Sequence, residues 1–273
     1  MRSSAGWRRS TPRAWPPPLT AICRADKHGA GIALGARTGK GNGVAHRNDG
    51  LVIFDCDGVL VDSEPISISV LTEIIAEAGG RIDLEEAYRR FLGRSVKTIV
   101  SDLANENGLA VTDLHLEAMR DRLYARFRDE LKPIPGIAET LGRLDRPFCV
   151  ASSSQPERIR LSLAVTGLLE RFEPNVFSST MVERGKPAPD LFLHAARAME
   201  KQPGRCIVVE DSPAGITAAK RAGMQVVAFV GGSHVEPAGL ASAVAALHPD
   251  AICGSMTELP SILEGLDGRN RAS

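Results

Sequence analysis

Four short polar clusters in this 273-residue chain each follow an apolar run, and their residue types suit phosphate chemistry. Asp55 and Asp57 are one residue apart, so in extended backbone both carboxylates leave on the same side, while Gly58 lets the chain turn away. Two like charges so close need a cation. Ser152-Ser153-Ser154 supplies hydroxyls, and Pro156 opens a helix whose N-terminal amides could face an anion. In Gly185-Lys186-Pro187-Ala188-Pro189-Asp190 two prolines stiffen the loop and pre-position the Lys186 ammonium. Glu210-Asp211 is a second acidic pair which, with Asp55, makes a set of hard oxygen ligands suited to magnesium.

For these clusters to meet, they must lie along one edge of one sheet. Leu51-Val52-Ile53-Phe54 is a continuous apolar run that fits a strand buried on both faces of a parallel sheet, and it stops at Asp55. Phe148 to Ala151, Val176 to Phe177, Cys206 to Val209 and Val226 to Val230 repeat the pattern between helical segments, with a weaker run at Ala251 to Cys253. This alternation predicts an α/β fold built on a doubly wound parallel sheet. Ligands bind beyond the carboxyl ends of such strands, where the four clusters fall. Ser212, Pro213 and Gly223 punctuate a helix around Ala214 to Ala222 as cap, first position and stop.

Between the first two strands lie about 80 residues with helical spacing, such as Leu71, Ile74, Ile75 and Ala78, then Leu116, Met119, Leu123 and Phe127. They predict an inserted helical domain whose stripes serve packing. The Gly93-Arg94-Ser95 loop is an exception, since it combines flexibility, a cation and a hydroxyl between two helices.

Composition narrows the function class. Hydrophobic residues make up 43% of the chain, enough for a buried core, and its zero formal charge argues against a dedicated binder of nucleic acid or anionic membrane. Residues 1–48 hold nine basic residues against one acid, a net +8 that leaves −8 for the remainder. That segment is Arg-, Pro- and Gly-rich without apolar periodicity and is expected to be disordered. A mis-started extension is the favoured reading, ahead of a transit peptide or a nucleic-acid arm. The five cysteines form no CxxC pair, which fits a reducing, cytoplasmic setting, and no apolar stretch is long enough to span a membrane. The six histidines show no metal-ligand spacing; none is assigned a catalytic role, and His194 is read as a packing residue.

Each cluster alone is a weak signal, since Ser-rich turns and KPxP loops are usually connectors. Their order and strand-end placement together match the four motifs of the haloacid dehalogenase superfamily of phosphatases and phosphomutases, which the chain resembles from about Leu51 to Leu263. The resemblance implies a Rossmann-like core over 49–62 and 132–265, a small helical cap over 63–131 and a tail at 266–273. It implies that Asp55 is the nucleophile forming an aspartyl-phosphate and that Asp57 is the general acid and base. Ser152, with Ser153, would bind phosphate, and Lys186 would steady the nucleophile and the transferring group. Asp211 with Glu210, Asp55 and the main-chain carbonyl of Asp57 would hold Mg2+, and Arg94 is a candidate substrate contact from the cap.

The segments LVIFDCDGVLVDSE and VVEDSPAGITAAKRAGM are most similar to the beta-phosphoglucomutase and 6-phosphogluconate phosphatase neighbourhood. The expected partner is therefore a small sugar, sugar-acid or polyol phosphate, handled by a monomer or weak homo-oligomer. A mutase is the nearest rival, but Ser67 stands where those mutases have a histidine and Val96 where they have a phosphate-gripping arginine; Arg94 or Lys97 could substitute. A 2-haloacid dehalogenase does not need Asp57, and a catalytically silent metabolite-binding protein would not need both Asp55 and Lys186.

Overall fold

The computed structural model describes residues 50–271, so the disorder expected for residues 1–48 lies outside the described residues. Strands β1 (Leu51–Phe54), β2 (Phe148–Ser152), β3 (Val176–Ser178), β4 (Cys206–Glu210), β5 (Gln225–Phe229) and β6 (Ala251–Cys253) form one sheet in the order β3-β2-β1-β4-β5-β6. Every neighbouring pair is parallel, with Phe54 set between Val150 and Val209. The chain thus winds outward from β1 to β3, returns beside β1 as β4, and winds outward again. The seam between β1 and β4 is the topological switch point.

Period-two alternation explains why the apolar runs are continuous. Val52, Phe54, Val150, Ile207, Val209 and Val227 face one core, whereas Leu51, Ile53, Cys149, Ala151, Val208 and Val226 face the other. Helices cover both faces: α1 (Glu64–Glu77), α2 (Leu84–Phe91), α3 (Val96–Asn107) and α4 (Asp113–Glu130) follow β1, then α5 (Ile137–Arg143) leads into β2. After β2 come α6 (Pro156–Val165), α7 (Leu169–Phe172), α8 (Asp190–Ala198), α9 (Pro213–Arg221), α10 (Leu240–Ala245) and α11 (Leu259–Arg271). The signals around α9 work as expected: Ser212 accepts a hydrogen bond from the Gly215 N–H at 3.1 Å, and Gly223 follows with φ +70.

The helical insertion, α1 to α4, has its own apolar cluster of Ile68, Leu71, Ile75, Tyr88, Phe91, Ile99 and Leu103. The opposite face of α1 and the end of α4, through Ile66, Val70, Ile74, Leu123 and Phe127, join the main core instead. The tail expected at 266–273 begins inside a packed helix. Leu259, Leu263 and Leu266 recur at helical spacing and are buried, while Asp267 accepts from Arg146 Nη2 at 2.6 Å. Gly265 and Gly268 hide that spacing in the sequence. The four cysteines among the described residues are free and buried, His194 packs edge-on against Phe177 with centroids 5.6 Å apart, and no described helix is long and apolar enough to cross a membrane.

Phe54, Phe148 and Phe172 form an edge-to-face trio with centroids 5.2 to 6.3 Å apart, locking α7 to the sheet beneath the switch point. Phe172→Ala should cost about 3–5 kcal/mol. The check is the urea midpoint, which should fall with an unchanged slope.

Candidate active site

At the β1/β4 seam the sheet delivers Asp55 directly beside Glu210 and Asp211. Asp55 donates its backbone N–H to the Val209 carbonyl at 3.0 Å, so its position follows from strand pairing. One carboxylate oxygen from each of Asp55, Glu210 and Asp211 lies within 4.8 Å of the others, and all three residues are buried. Lys186 enters from the loop before α8, and its Nζ donates to Asp55 Oδ1 at 2.5 Å and to Glu210 Oε1 at 2.7 Å. The ammonium rests 4.9 Å from the ring centroid of Phe192, in the first turn of α8. Glu210 is pinned from its other oxygen, which accepts from the Ser212 N–H at 2.8 Å and the Ser212 hydroxyl at 2.9 Å.

Three acids against one ammonium leave the pocket short of positive charge. Burial pushes the Asp55 carboxyl well above its ordinary range; Lys186 pulls it down, while Glu210 and Asp211 push it further up. Asp211 is also driven up, by burial and then by Glu210. Burial alone would lower Lys186, but Asp55 and Glu210 outweigh it and hold the ammonium protonated. A divalent cation fits this cluster on its chemistry, because hard oxygen donors surround it and its charge would offset the deficit.

The pocket is walled by positions that tolerate no side chain. A Cβ on Gly58, whose φ is +81, would stand 2.0 Å from Asp211 Oδ2, and one on Gly215 would stand 1.7 Å from Glu210 Oε1. His234, wholly buried, closes the outer side. Its Nε2 lies 2.8 Å from Asp211 Oδ2 but off the line of a hydrogen bond, so neither ring nitrogen has a hydrogen-bond partner.

Asp57 points elsewhere, toward the cleft between sheet and insertion. Its Oδ1 accepts from Ser63 at 2.7 Å and from Arg158 Nη2 at 2.9 Å, and its Oδ2 accepts from Ser154 at 2.7 Å. Burial would raise this carboxyl, but Arg158 and the Ser154 and Ser63 hydroxyls more than compensate and hold it below the ordinary carboxylate range. Arg158 also donates to Ser67 Oγ at 3.3 Å and lies 5.3 Å from the Phe127 ring centroid, so α1, α4 and α6 meet on one guanidinium.

The structure therefore brings Asp55, Lys186, Glu210 and Asp211 together, with Asp57 and Ser152 adjoining. The Asp57 carboxylate stands outside the acidic cluster, which leaves only its main-chain carbonyl as a candidate ligand. Ser152 is buried, its Oγ accepting from the Ser154 N–H at 3.1 Å and reaching Asp57 Oδ2 at 3.5 Å. Ser153 is exposed, and its carbonyl serves Ser179, because alternation at the strand exit turns Ser154 and not Ser153 toward Asp57. Arg94 also departs from expectation. Its Nη2 donates to Asp102 Oδ2 at 2.5 Å and its Nη1 to the Arg90 carbonyl at 3.3 Å on the exposed side of the insertion, because Asp102 on α3 captures it. The Gly93 turn itself does approach the core: a Cβ there would lie 3.8 Å from Ser212 Cβ. Sequence reasoning missed Arg158, Ser63 and His234, and within the serine run it chose Ser153 over Ser154, although the period-two relation of Ser154 to Ser152 was a usable signal.

The family model for haloacid dehalogenase-like hydrolases matches residues 50–223. The chain is 35% identical over 187 residues to the 6-phosphogluconate phosphatase of Escherichia coli, covering 68% of this chain and 85% of that one. A conserved haloacid dehalogenase-like protein of unknown function from Agrobacterium tumefaciens superposes with a TM-score of 0.72 at 35% identity, over 80% of this chain and 99% of that one. A Deinococcus radiodurans hydrolase of the same family, with bound phosphate and sodium, gives 0.67 at 33% identity over 80% and 96%.

One half-exposed carboxyl tests the electrostatics of the cleft without touching the acidic cluster. Burial, and then the Asp57 charge, push the half-buried Glu64 carboxyl from 4.5 up to about 7. A carboxyl raised on folding costs the native state its ionisation, a cost that grows between pH 4.5 and about 7 and is full above that. Glu64→Gln removes it. In metal-free protein the variant should match wild type near pH 4.5 and exceed it by about 1–3 kcal/mol at pH 8, measured by urea denaturation.

Proposed function

The chain belongs to the haloacid dehalogenase-like hydrolases, and on that footing we propose that it is a Mg2+-dependent phosphatase of small sugar, sugar-acid or polyol phosphates. The carrying observation is Asp55 Oδ1 held 2.5 Å from Lys186 Nζ beside Glu210 and Asp211. An Asp55 carboxylate oxygen attacks phosphorus and the bond to the ester oxygen breaks, leaving an aspartyl-phosphate on Asp55. Asp57 protonates the departing oxygen and, then ionised, takes a proton from the water that attacks the aspartyl-phosphate, releasing inorganic phosphate. The hydrogen bonds around Asp57 favour the ionised form, which is the state required for the second half of the cycle.

Ser152 and Lys186 would bind the transferring phosphoryl oxygens, Lys186 neutralising charge as it develops. Mg2+, held by Asp55, Glu210, Asp211 and the Asp57 carbonyl, would supply further positive charge against those oxygens. The helical insertion would act as the cap, a reading supported by its contacts to the Asp57 cleft through Ser63, Ser67 and Phe127 and by the approach of Gly93 to Ser212. Free buried thiols support a reducing, cytoplasmic setting, and the chain would act as a monomer or weak homo-oligomer.

A phosphate-release screen with Mg2+ should find turnover of p-nitrophenyl phosphate and of esters such as 6-phosphogluconate and sorbitol 6-phosphate. Asp55→Asn should abolish turnover while leaving the far-ultraviolet circular dichroism unchanged, and Lys186→Ala should lower kcat by about 100- to 1,000-fold. Full activity in Asp55→Asn would refute the mechanism. Conversion of beta-glucose 1-phosphate to glucose 6-phosphate without free phosphate would reassign the chain to the phosphomutases.

A further inference from the structure

The three acids at the β1/β4 seam are not equally held. Lys186 Nζ donates to Asp55 and to Glu210, and Ser212 donates twice more to Glu210. Among the described residues no other residue donates a hydrogen bond to the Asp211 carboxylate, which has only its own backbone N–H. One side chain stands ready to do so. His234 Nε2 lies 2.8 Å from Asp211 Oδ2, at hydrogen-bond distance but off its line, and among the described residues neither buried ring nitrogen has a partner. An unpaired donor in a dry site is costly, and this one faces the acid that lacks a donor.

The loop that carries His234 fixes the ring where it is. Gly231-Gly232 lies just past β5 and runs against the exit of β1. A Cβ on Gly232 would stand 2.4 Å from His234 Cε1 and 3.1 Å from the Gly58 carbonyl oxygen, and one on Gly58 would stand 2.8 Å from the same Cε1. The imidazole therefore fills a slot between two glycines and is wholly buried in it. Its backbone is tied on both sides, since Ser233 donates to Asp62 Oδ1 at 2.7 Å and the His234 carbonyl accepts from the Ala238 N–H at 3.1 Å. A ring so placed has little room to move. The Asp211 carboxylate, with no other residue's donor on it, is the partner free to turn into line. His234 also stands outside the group of donor atoms that lie within 4.8 Å of one another, so it acts through Asp211 and not as a ligand.

We infer that His234 is a positioning residue for the divalent cation, donating from Nε2 to the Asp211 carboxylate once that carboxylate turns toward an ion shared with Asp55 and Glu210. The inference rests on the phosphatase reading above and adds to it a residue that sets cation affinity. Carboxylates that hold metals are themselves hydrogen-bonded, and loss of such a partner weakens the metal by about 10- to 100-fold. A histidine that merely filled space would leave cation affinity to the three acids alone.

The test is Mg2+ affinity, read by isothermal titration calorimetry on the metal-free full chain. Kd should rise about 10- to 100-fold in His234→Ala and stay near the wild-type value in His234→Gln, whose amide keeps a donor. Gly232→Ala should raise it too, because the added methyl displaces the ring without removing it, and φ at Gly232 is not left-handed. In wild type, Mg2+ should move one imidazole N–H proton resonance downfield, assigned to His234 by its absence from His234→Gln. Far-ultraviolet circular dichroism checks that each variant folds; where His234→Ala does not, Gly232→Ala decides. Unchanged Kd in folded His234→Ala or Gly232→Ala, equal weakening in His234→Gln and His234→Ala, or an imidazole resonance insensitive to Mg2+ would overturn the inference. Mg2+ binding and p-nitrophenyl phosphate turnover by wild type would then leave the phosphatase reading intact. Absence of both from wild type would remove that reading and this inference with it.

Discussion

Charge balance in a dry pocket governs this protein. Asp55, Glu210 and Asp211 converge where two adjacent parallel strands end, and the fold offers them one ammonium, that of Lys186. Buried charges survive only when they are paired and hydrogen-bonded. Much of the surrounding architecture answers that demand. The loop before α8 carries Lys186 over Phe192, the cap of α9 spends both its hydroxyl and its amide on Glu210, and Gly58 and Gly215 let the acids approach backbone that any side chain would block. What the protein does not neutralise, a bound cation can.

A second charge system lies a few residues away with the opposite character. Asp57 is surrounded by donors, from Ser63, Ser154 and Arg158, and its carboxyl is held low where that of Asp55 is held high. Two carboxylates separated by one residue thus have environments that push them apart, the pattern expected where one side chain attacks and the other moves protons. The separation is topological. Asp55 belongs to the seam between β1 and β4, while Asp57 has left the strand and belongs to the cleft under the insertion. Because α1, α4 and α6 all touch the Asp57 system, the packing of the insertion and the ionisation of the Asp57 carboxyl are physically linked.

Much of this was legible in the chain itself, for reasons that also explain the gaps. A parallel strand buried on both faces must be apolar throughout, so Leu51 to Phe54 and Cys206 to Val209 identify themselves, and the polar residue after each is necessarily at the carboxyl edge. Lys186 is marked by the prolines around it. Arg158 has no comparable mark: it reads as an ordinary solvent-facing charge near a helix start, and its partner is 101 residues away. His234 escaped because a histidine that buttresses a single carboxylate leaves no spacing pattern. Arg94 misled in the opposite way, since the loop chemistry was suggestive but Asp102 one helix later decides where the side chain goes. In the serine run, the rule that separates Ser154 from Ser153 was already available in the alternation of the strand that precedes it.

Gly215 shows what the pocket demands of its scaffold. It lies in the first turns of α9, where alanine would ordinarily strengthen a helix by roughly 1 kcal/mol. The same methyl group would occupy the space held by Glu210 Oε1. Efforts to make the protein more heat-resistant by raising helix propensity would thus meet a barrier at this residue, where a weaker helix is the condition for a working acid. Helix propensity and the placement of the Glu210 carboxylate compete here for the volume of one carbon atom.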